Sequence, residues 1–552
     1  MSLAESCGLG DDLFGSFGED GDRLLAAAVA QVLAGGPMSS TEPELDGNMA
    51  CQLLGIADSF SSPRMSEFTA RLGDSTACLE QLFELRMARA RGLLAYDITS
   101  VSAYSELEGW GDWGHNRDGE KLRQMNIGLV TDRRAVPVMF GLYPGPIADV
   151  STLRRTVERI AAMGGNASTL VMDRGFGSAA NLRYLIDSGT SFVIPGKRQT
   201  RCVKALMSEL VRLKDSPDRV MIHGDTVYSV LEAEVAVVPR EDPSDPEGEE
   251  TNDTREWELV LSDDPRFAGV PEGMRMKAHA CYDAKGAAEE RDRMQKALKG
   301  IEAKLRAMDP WAALNGVKDV AGGYAKYFDL RVEDGRLVVS RRRNAVSFAM
   351  NREGMFVMFS HGVGSWEEMM SDYDCRTYVE QAFDVLKNDL DGNRWRTGDP
   401  QTARGRLLIK FVALILWFSL MDSIRDAKDR VPVQTALQAL DTIMAVGDGE
   451  RWRITEVTAR SRRLLDAMGV RRPKDVVETK PYRYIPSRYL ERPRISGSRQ
   501  SEDLGRLPSI RRSRGPYTGT IACLQRRSQP CLILSSTHSG TRTSVVSPVS
   551  RS

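Results

Sequence analysis

Paired cysteines are missing from this 552-residue chain. Its eight cysteines (Cys7, Cys51, Cys78, Cys202, Cys281, Cys375, Cys523, Cys531) form no C-x-x-C. That disfavours a disulfide framework or a zinc ribbon and makes a reducing compartment the default. Histidine is scarce, five in all. No sign of charge is in excess: 75 Lys+Arg face 76 Asp+Glu, a net charge of −1. Nucleic-acid binding must then come from local basic patches, not from a global field. No apolar run reaches the ~20 residues of a membrane span. The longest, residues 407–421, is interrupted by Lys410. Nothing at the start has the pattern of a secretion signal. The glycines between Gly111 and Gly119 lack the G-x-x-x-x-G-K of a phosphate loop.

What is present is a globular composition, 41% hydrophobic and 27% charged, which excludes wholesale disorder. The length allows about three to five structural units. Residues 1–90 read as helical: 22–33 carries apolar residues at helical spacing and stops at Gly35-Gly36-Pro37, and 77–91 is a second such stretch. A DNA-reading unit and a plain structural helix pair both fit this region, the second better. Over 91–197 the pattern is strand, hairpin, helix, strand, helix, strand, with Asp149 and Ser178 placed as helix caps. Residues 198–345 interrupt it with strand-like pieces, an acidic loop at 241–250 and a charged helix over 284–308, and read as an inserted, mainly β domain. The α/β pattern resumes over 346–430. Residues 431–494 are basic, with eleven Lys/Arg against four acids between 451 and 488. Residues 495–552 have no apolar period and read as a disordered tail.

The most informative segment runs from Tyr373 to Lys387. At about 100° per residue, Tyr373, Arg376, Glu380 and Lys387 fall on one helical stripe about 60° wide, beside an apolar face. Arg376 and Glu380 alone make an ordinary i,i+4 pair worth ~0.2–0.5 kcal/mol. Two further acids, Asp97 and Asp173, each end a short apolar run that reads as a buried strand. Singly, such an acid is more often a turn or cap residue. Jointly, three carboxylates from two strands and a helix can hold divalent metals for an in-line phosphoryl displacement, with no His or Cys ligand.

The spacing of Tyr373, Arg376, Glu380 and Lys387 resembles the YREK signature of bacterial and archaeal insertion-sequence transposases of the DDE type. Tyr96-Asp97-Ile-Thr-Ser is similar to the segment bearing their first aspartate, and Asp173-Arg-Gly-Phe-Gly to the one bearing the second. Gly114-His-Asn-Arg-Asp118 through Gly128-Leu-Val resembles the stretch leading into the hairpin of the sheet. The likeness covers residues 92–387 and, more loosely, extends to about 486.

This resemblance implies an α/β fold: an RNase H-like mixed-sheet catalytic core interrupted by a mainly β inserted domain, with helical N- and C-terminal regions. It implies that Asp97, Asp173 and Glu380 are catalytic and ligate two Mg²⁺ ions, for which Mn²⁺ may substitute. Arg376 and Lys387 would contact DNA phosphates, and Tyr373 the terminal nucleotides. The expected partners are terminal inverted repeats, target DNA and a second copy of the chain. The expected setting is the nucleoid in a prokaryotic cytoplasm, with no membrane. Two other readings stay open: a decayed or repurposed DNA-binding relative, and a stand-alone metal-dependent nuclease. Lesser candidates for DNA contact are Arg341-Arg342-Arg343, the basic stretch 451–488 and His115. Trp110, Trp113 and Trp395 could stack on a base, though packing is the commoner role.

Overall fold

The computed structural model describes residues 2–56, 60–90, 92–103, 112–113, 123–145, 149–165, 168–241, 256–425, 431–447, 451–455, 457–470 and 476–478. The tail 495–552, His115, Trp110 and most of the acidic loop lie outside them.

The chain begins as helices, of which three bear on the site: α1 (Glu19–Ala34), α2 (Ser62–Asp74) and α3 (Thr76–Arg89). Strand β1 (Leu93–Ala103) follows. Its first four residues are buried, as the unbroken apolar run Leu93-Leu-Ala-Tyr96 requires of a central strand. Next come the hairpin strands β2 (Arg123–Asp132) and β3 (Pro137–Pro144). Their turn is organised by Asp132, whose Oδ1 accepts from the backbone N–H groups of Arg134 and Val136. Then α4 (Asp149–Ala162), β4 (Thr169–Met172), α5 (Ala179–Asp187) and β5 (Phe192–Pro195) alternate. Ser178 caps α5 by accepting from Asn181 N–H at 3.3 Å.

Residues 198–345 supply α6 (Arg201–Leu213), strands β6 (Val220–His223), β7 (Thr226–Pro239), β8 (Trp257–Leu261) and β9 (Arg275–Asp283), helix α7 (Ala284–Arg306) and the hairpin β10 (Phe328–Glu333) and β11 (Arg336–Arg341). The chain returns through β12 (Met355–His361) to α8 (Trp366–Asp374), α9 (Arg376–Asp384) and the long α10 (Pro400–Arg425).

Twelve strands of the described residues form one mixed sheet. Its order is 112–113, β2, β1, β4, β5, β12, β9, β7, β6; β3 pairs with β2, β8 with β7, and 394–395 with β1. β3, β2 and β1 are antiparallel, and β1, β4 and β5 are parallel. An antiparallel meander continued by parallel strands is the arrangement expected of an RNase H-like core. Apart from the β10–β11 hairpin, which forms a two-stranded sheet alone, the inserted strands do not make a sheet of their own. β12 pairs with both β5 and β9, so they prolong the same sheet past an edge that would otherwise stand open. The insertion is also less purely β than its sequence suggests. Met294, Leu298 and Leu305 of α7 pack with Phe328 and Val339 of the small hairpin as a core apart.

Helix α10 is apolar and long enough to cross a membrane by composition, yet 83% of its apolar window is buried inside the protein. It packs against α1 and α2. A Cβ on Gly405 would collide with the Thr69 carbonyl oxygen, and one on Gly73 with that of Gln401, so two glycines let the backbones of α10 and α2 touch. Lys410, which interrupts the apolar run in sequence, is 5% exposed. Its Nζ donates to Gln31 Oε1 of α1 at 3.1 Å and to the Leu390 carbonyl beyond α9. Further on lie the helices Val433–Leu440 and Ala459–Ala467 and a small three-stranded sheet.

Candidate active site

Two strands and one helix converge at the middle of β1 and the end of β4; contrary to the sequence expectation, β1 does not stop near Asp97 but runs on for six residues, held by its ladder to β2. Tyr96 pairs with Met172 in parallel register, so the next residues, Asp97 and Asp173, emerge side by side. Side chains alternate along a strand. Leu93, Val171 and Val193 pack under Trp366, Met369 and Met370 of α8. Asp97 and Asp173 share the parity of Leu93 and Val171, so they point to the face that α8 covers. Helix α9 lies against β1 and β2 and brings Glu380. The turn after Asp173 is pinned from below: Phe176 is buried, and its ring lies 5.1 Å from that of Tyr96.

Arg376 ties the parts together. Its Nη2 lies 2.5 Å from Glu380 Oε1 and 3.6 Å from Asp173 Oδ1. Its Nη1 donates to the Tyr373 hydroxyl at 3.1 Å. Three of the four stripe residues are therefore in direct contact. Asp97 Oδ1 accepts from Ile98 N–H at 2.8 Å. Burial pushes the Asp97 carboxyl up to about 6; the Ile98 bond opposes this, the charges of Asp173 and Glu380 add to it, and that of Arg376 subtracts. All three acids and the arginine thus share one electrostatic neighbourhood.

The helix bearing them is not one regular rod, as the 100° spacing assumed. At Cys375 it tightens into i→i+3 bonds, Cys375 N–H to Asp372 O and Tyr378 N–H to Cys375 O, both 3.1 Å. Residues Val385–Asp389 form a π turn. Lys387 lies in that turn, so it is rotated away from the line that uniform α geometry gives. The causes are tertiary. Asp374 is held by His223 of β6 at 2.7 Å, Asp372 by Arg133 of the β2–β3 turn at 2.8 Å, and the Leu390 carbonyl by Lys410. None of these three anchors stands out in sequence except Lys410, a lone cation within an apolar run.

The lesser candidates fare differently. Arg341 is engaged by Glu302 and Gln295, while Arg342 and Arg343 are exposed. Trp395 is a core residue, its Nε1 donating to Gly392 O at 2.7 Å, and so is not available for stacking.

As donors for a cation, the three acids fit a hard divalent ion: all are carboxylate oxygens, and three negative charges face the single charge of Arg376. As they stand, however, no three His, Cys, Asp or Glu among the described residues are close enough to close on one ion. At this site the guanidinium occupies the space between Asp173 and Glu380.

Among curated proteins, nothing matches the chain. A solved structure described as a cryo-EM structure of piggyBac transposase synaptic complex with hairpin DNA aligns with 81% of this chain and 70% of its own, at 8% identity and a TM-score of 0.34, a likeness too loose to argue from. The family described as "Transposase DDE domain" matches residues 88–416. That span exceeds half of the sequence and contains every residue of the site above, and the chain belongs to this family.

Proposed function

We propose that this protein is a DNA transposase that cuts at the ends of an insertion sequence and joins the freed 3′ ends to target DNA. The observation that carries the reading is the convergence itself: Arg376 bridges Asp173 and Glu380, and Asp97 sits in register beside Asp173. Asp97, Asp173 and Glu380 are the metal ligands in this reading. Two divalent ions, Mg²⁺ or Mn²⁺, would supply activation of the attacking oxygen and stabilisation of the leaving one.

The chain's own groups align and neutralise. Arg376 and Lys387 offset phosphate charge next to the scissile bond, and Tyr373 packs against or hydrogen-bonds the terminal nucleotides. In the first step water attacks phosphorus and the P–O3′ bond breaks, leaving a 3′-hydroxyl. In the second, that hydroxyl attacks a target phosphodiester and releases a target 3′-hydroxyl. No covalent protein nucleophile is needed. The protein works as a homodimer on paired ends, in the cytoplasm at the nucleoid of a prokaryote.

The test is metal-dependent nicking of DNA carrying the inverted repeats that flank the gene. Asp97→Ala, Asp173→Ala and Glu380→Ala should each abolish nicking while melting cooperatively. Full activity in any of them removes that residue from the site. A strand-transfer assay separates joining from cutting alone, and thus a transposase from a nuclease.

A further inference from the structure

Arg376 is a cation set among acids, between two of the carboxylates that a divalent ion would need. Its Nη2 spans Asp173 and Glu380, yet its Nε is buried with no hydrogen-bond partner. Asp97, beside the bridge, feels the charges of Asp173, Glu380 and Arg376 together. The residue starts a nine-residue helix lying between the i→i+3 turn at Cys375 and the π turn at Val385–Asp389, and π turns recur where a helix serves function.

Resting on the function proposed above, we infer that Arg376 is a place-holder: in the free protein its guanidinium occupies the divalent-cation position between Asp173 and Glu380, and it leaves when a DNA phosphate takes up its charge. A guanidinium fork suits phosphate as well as carboxylate. A divalent ion and a guanidinium cannot both lie against the same two carboxylates without strong like-charge repulsion. Metal and DNA binding are then coupled, each raising the affinity for the other by the same factor. The free protein keeps its acids neutralised and unloaded until DNA arrives.

The measurement is Mn²⁺ binding by the full chain without DNA, with free Mn²⁺ followed by electron paramagnetic resonance. Wild type should bind weakly. Arg376→Gln should bind about tenfold or more tightly, and Mn²⁺ should raise its melting temperature more than that of wild type. Adding Glu380→Gln should erase the gain, which locates it at this site. Equal affinity in wild type and Arg376→Gln, both melting cooperatively, would overturn the inference and make Arg376 a fixed structural bridge. Micromolar Mn²⁺ binding by wild type without DNA overturns it too, with no variant required. If Arg376→Gln does not melt cooperatively, Arg376→Lys, which keeps the charge but not the fork, should show a smaller gain in the same direction; no gain counts against the inference. Failure of this inference leaves the active-site reading standing, because that reading is judged by DNA cleavage in the three acid variants.

Discussion

Tyr96 on β1 and Met172 on β4 stand opposite each other in parallel register, and each is followed by an aspartate. The pairing places two carboxylates side by side before any ligand is considered. Burial, with the charges of Asp173 and Glu380 adding to it, pushes the folded Asp97 carboxyl up to about 6 from 3.8 for the ordinary group. The folded state therefore binds more protons than the unfolded one between those values, and stability falls as pH rises through them. Asp97→Asn should raise stability at pH 7–8 by about 1–3 kcal/mol. The gain should vanish below about pH 4, where Asp97 is protonated in both states. Urea denaturation across pH checks this; a variant less stable than wild type at neutral pH contradicts the desolvation of Asp97.

Lys410 gives a second pH signature. Burial lowers its ammonium from 10.5 to about 8. Below the lower value both states are protonated. Between the two values the unfolded state binds the extra proton, so stability should rise with pH. Relative to Lys410→Met, wild type should gain about 1–3 kcal/mol on going from pH 8 to 10.5. An unchanged difference over that window argues that the ammonium is not desolvated.

The contact between α2 and α10 is backbone against backbone at Gly73 and Gly405. Gly405→Ala should cost about 1–3 kcal/mol or more, because neither helix backbone can yield locally. Gly300, in the middle of α7 with nothing within 4 Å of a built Cβ, is the matched control. Gly300→Ala should stabilise by about 0.5–1 kcal/mol. Thermal melts of the two variants should move in opposite directions.

Asp372 is 3% exposed and is held by Arg133 from the β2–β3 turn. Arg133→Met leaves that carboxylate buried without its cation and should cost about 1–2 kcal/mol. Asp372→Asn in the same chain should recover most of the loss. Additive losses in the double variant would mean that the two residues act independently.

Part of this architecture is legible in the sequence and part is not, for physical reasons. β4 and the first four residues of β1 are apolar runs followed by an acid, and Arg376 and Glu380 are four residues apart on a helix. Local chemistry alone writes those features. The turn at Asp132 and the cap at Ser178 are equally local. What escapes is whatever depends on distant chain: the i→i+3 turn at Cys375, drawn by His223 and Arg133; the π turn around Lys387, beside the Lys410 anchor; and the joining of the inserted strands to the main sheet through β12. A uniform helical wheel places Lys387 correctly only if nothing elsewhere pulls on the rod.

The burial of α10 carries a consequence for shortened versions of the chain. Its greasy surface is wrapped by α1 and α2, which come from the opposite end of the polypeptide. A product started downstream of those helices would expose much of the apolar run 407–421, stripped of the two helices that cover most of it. Such a fragment should clump, or be mistaken by the cell's insertion machinery for an integral bilayer protein.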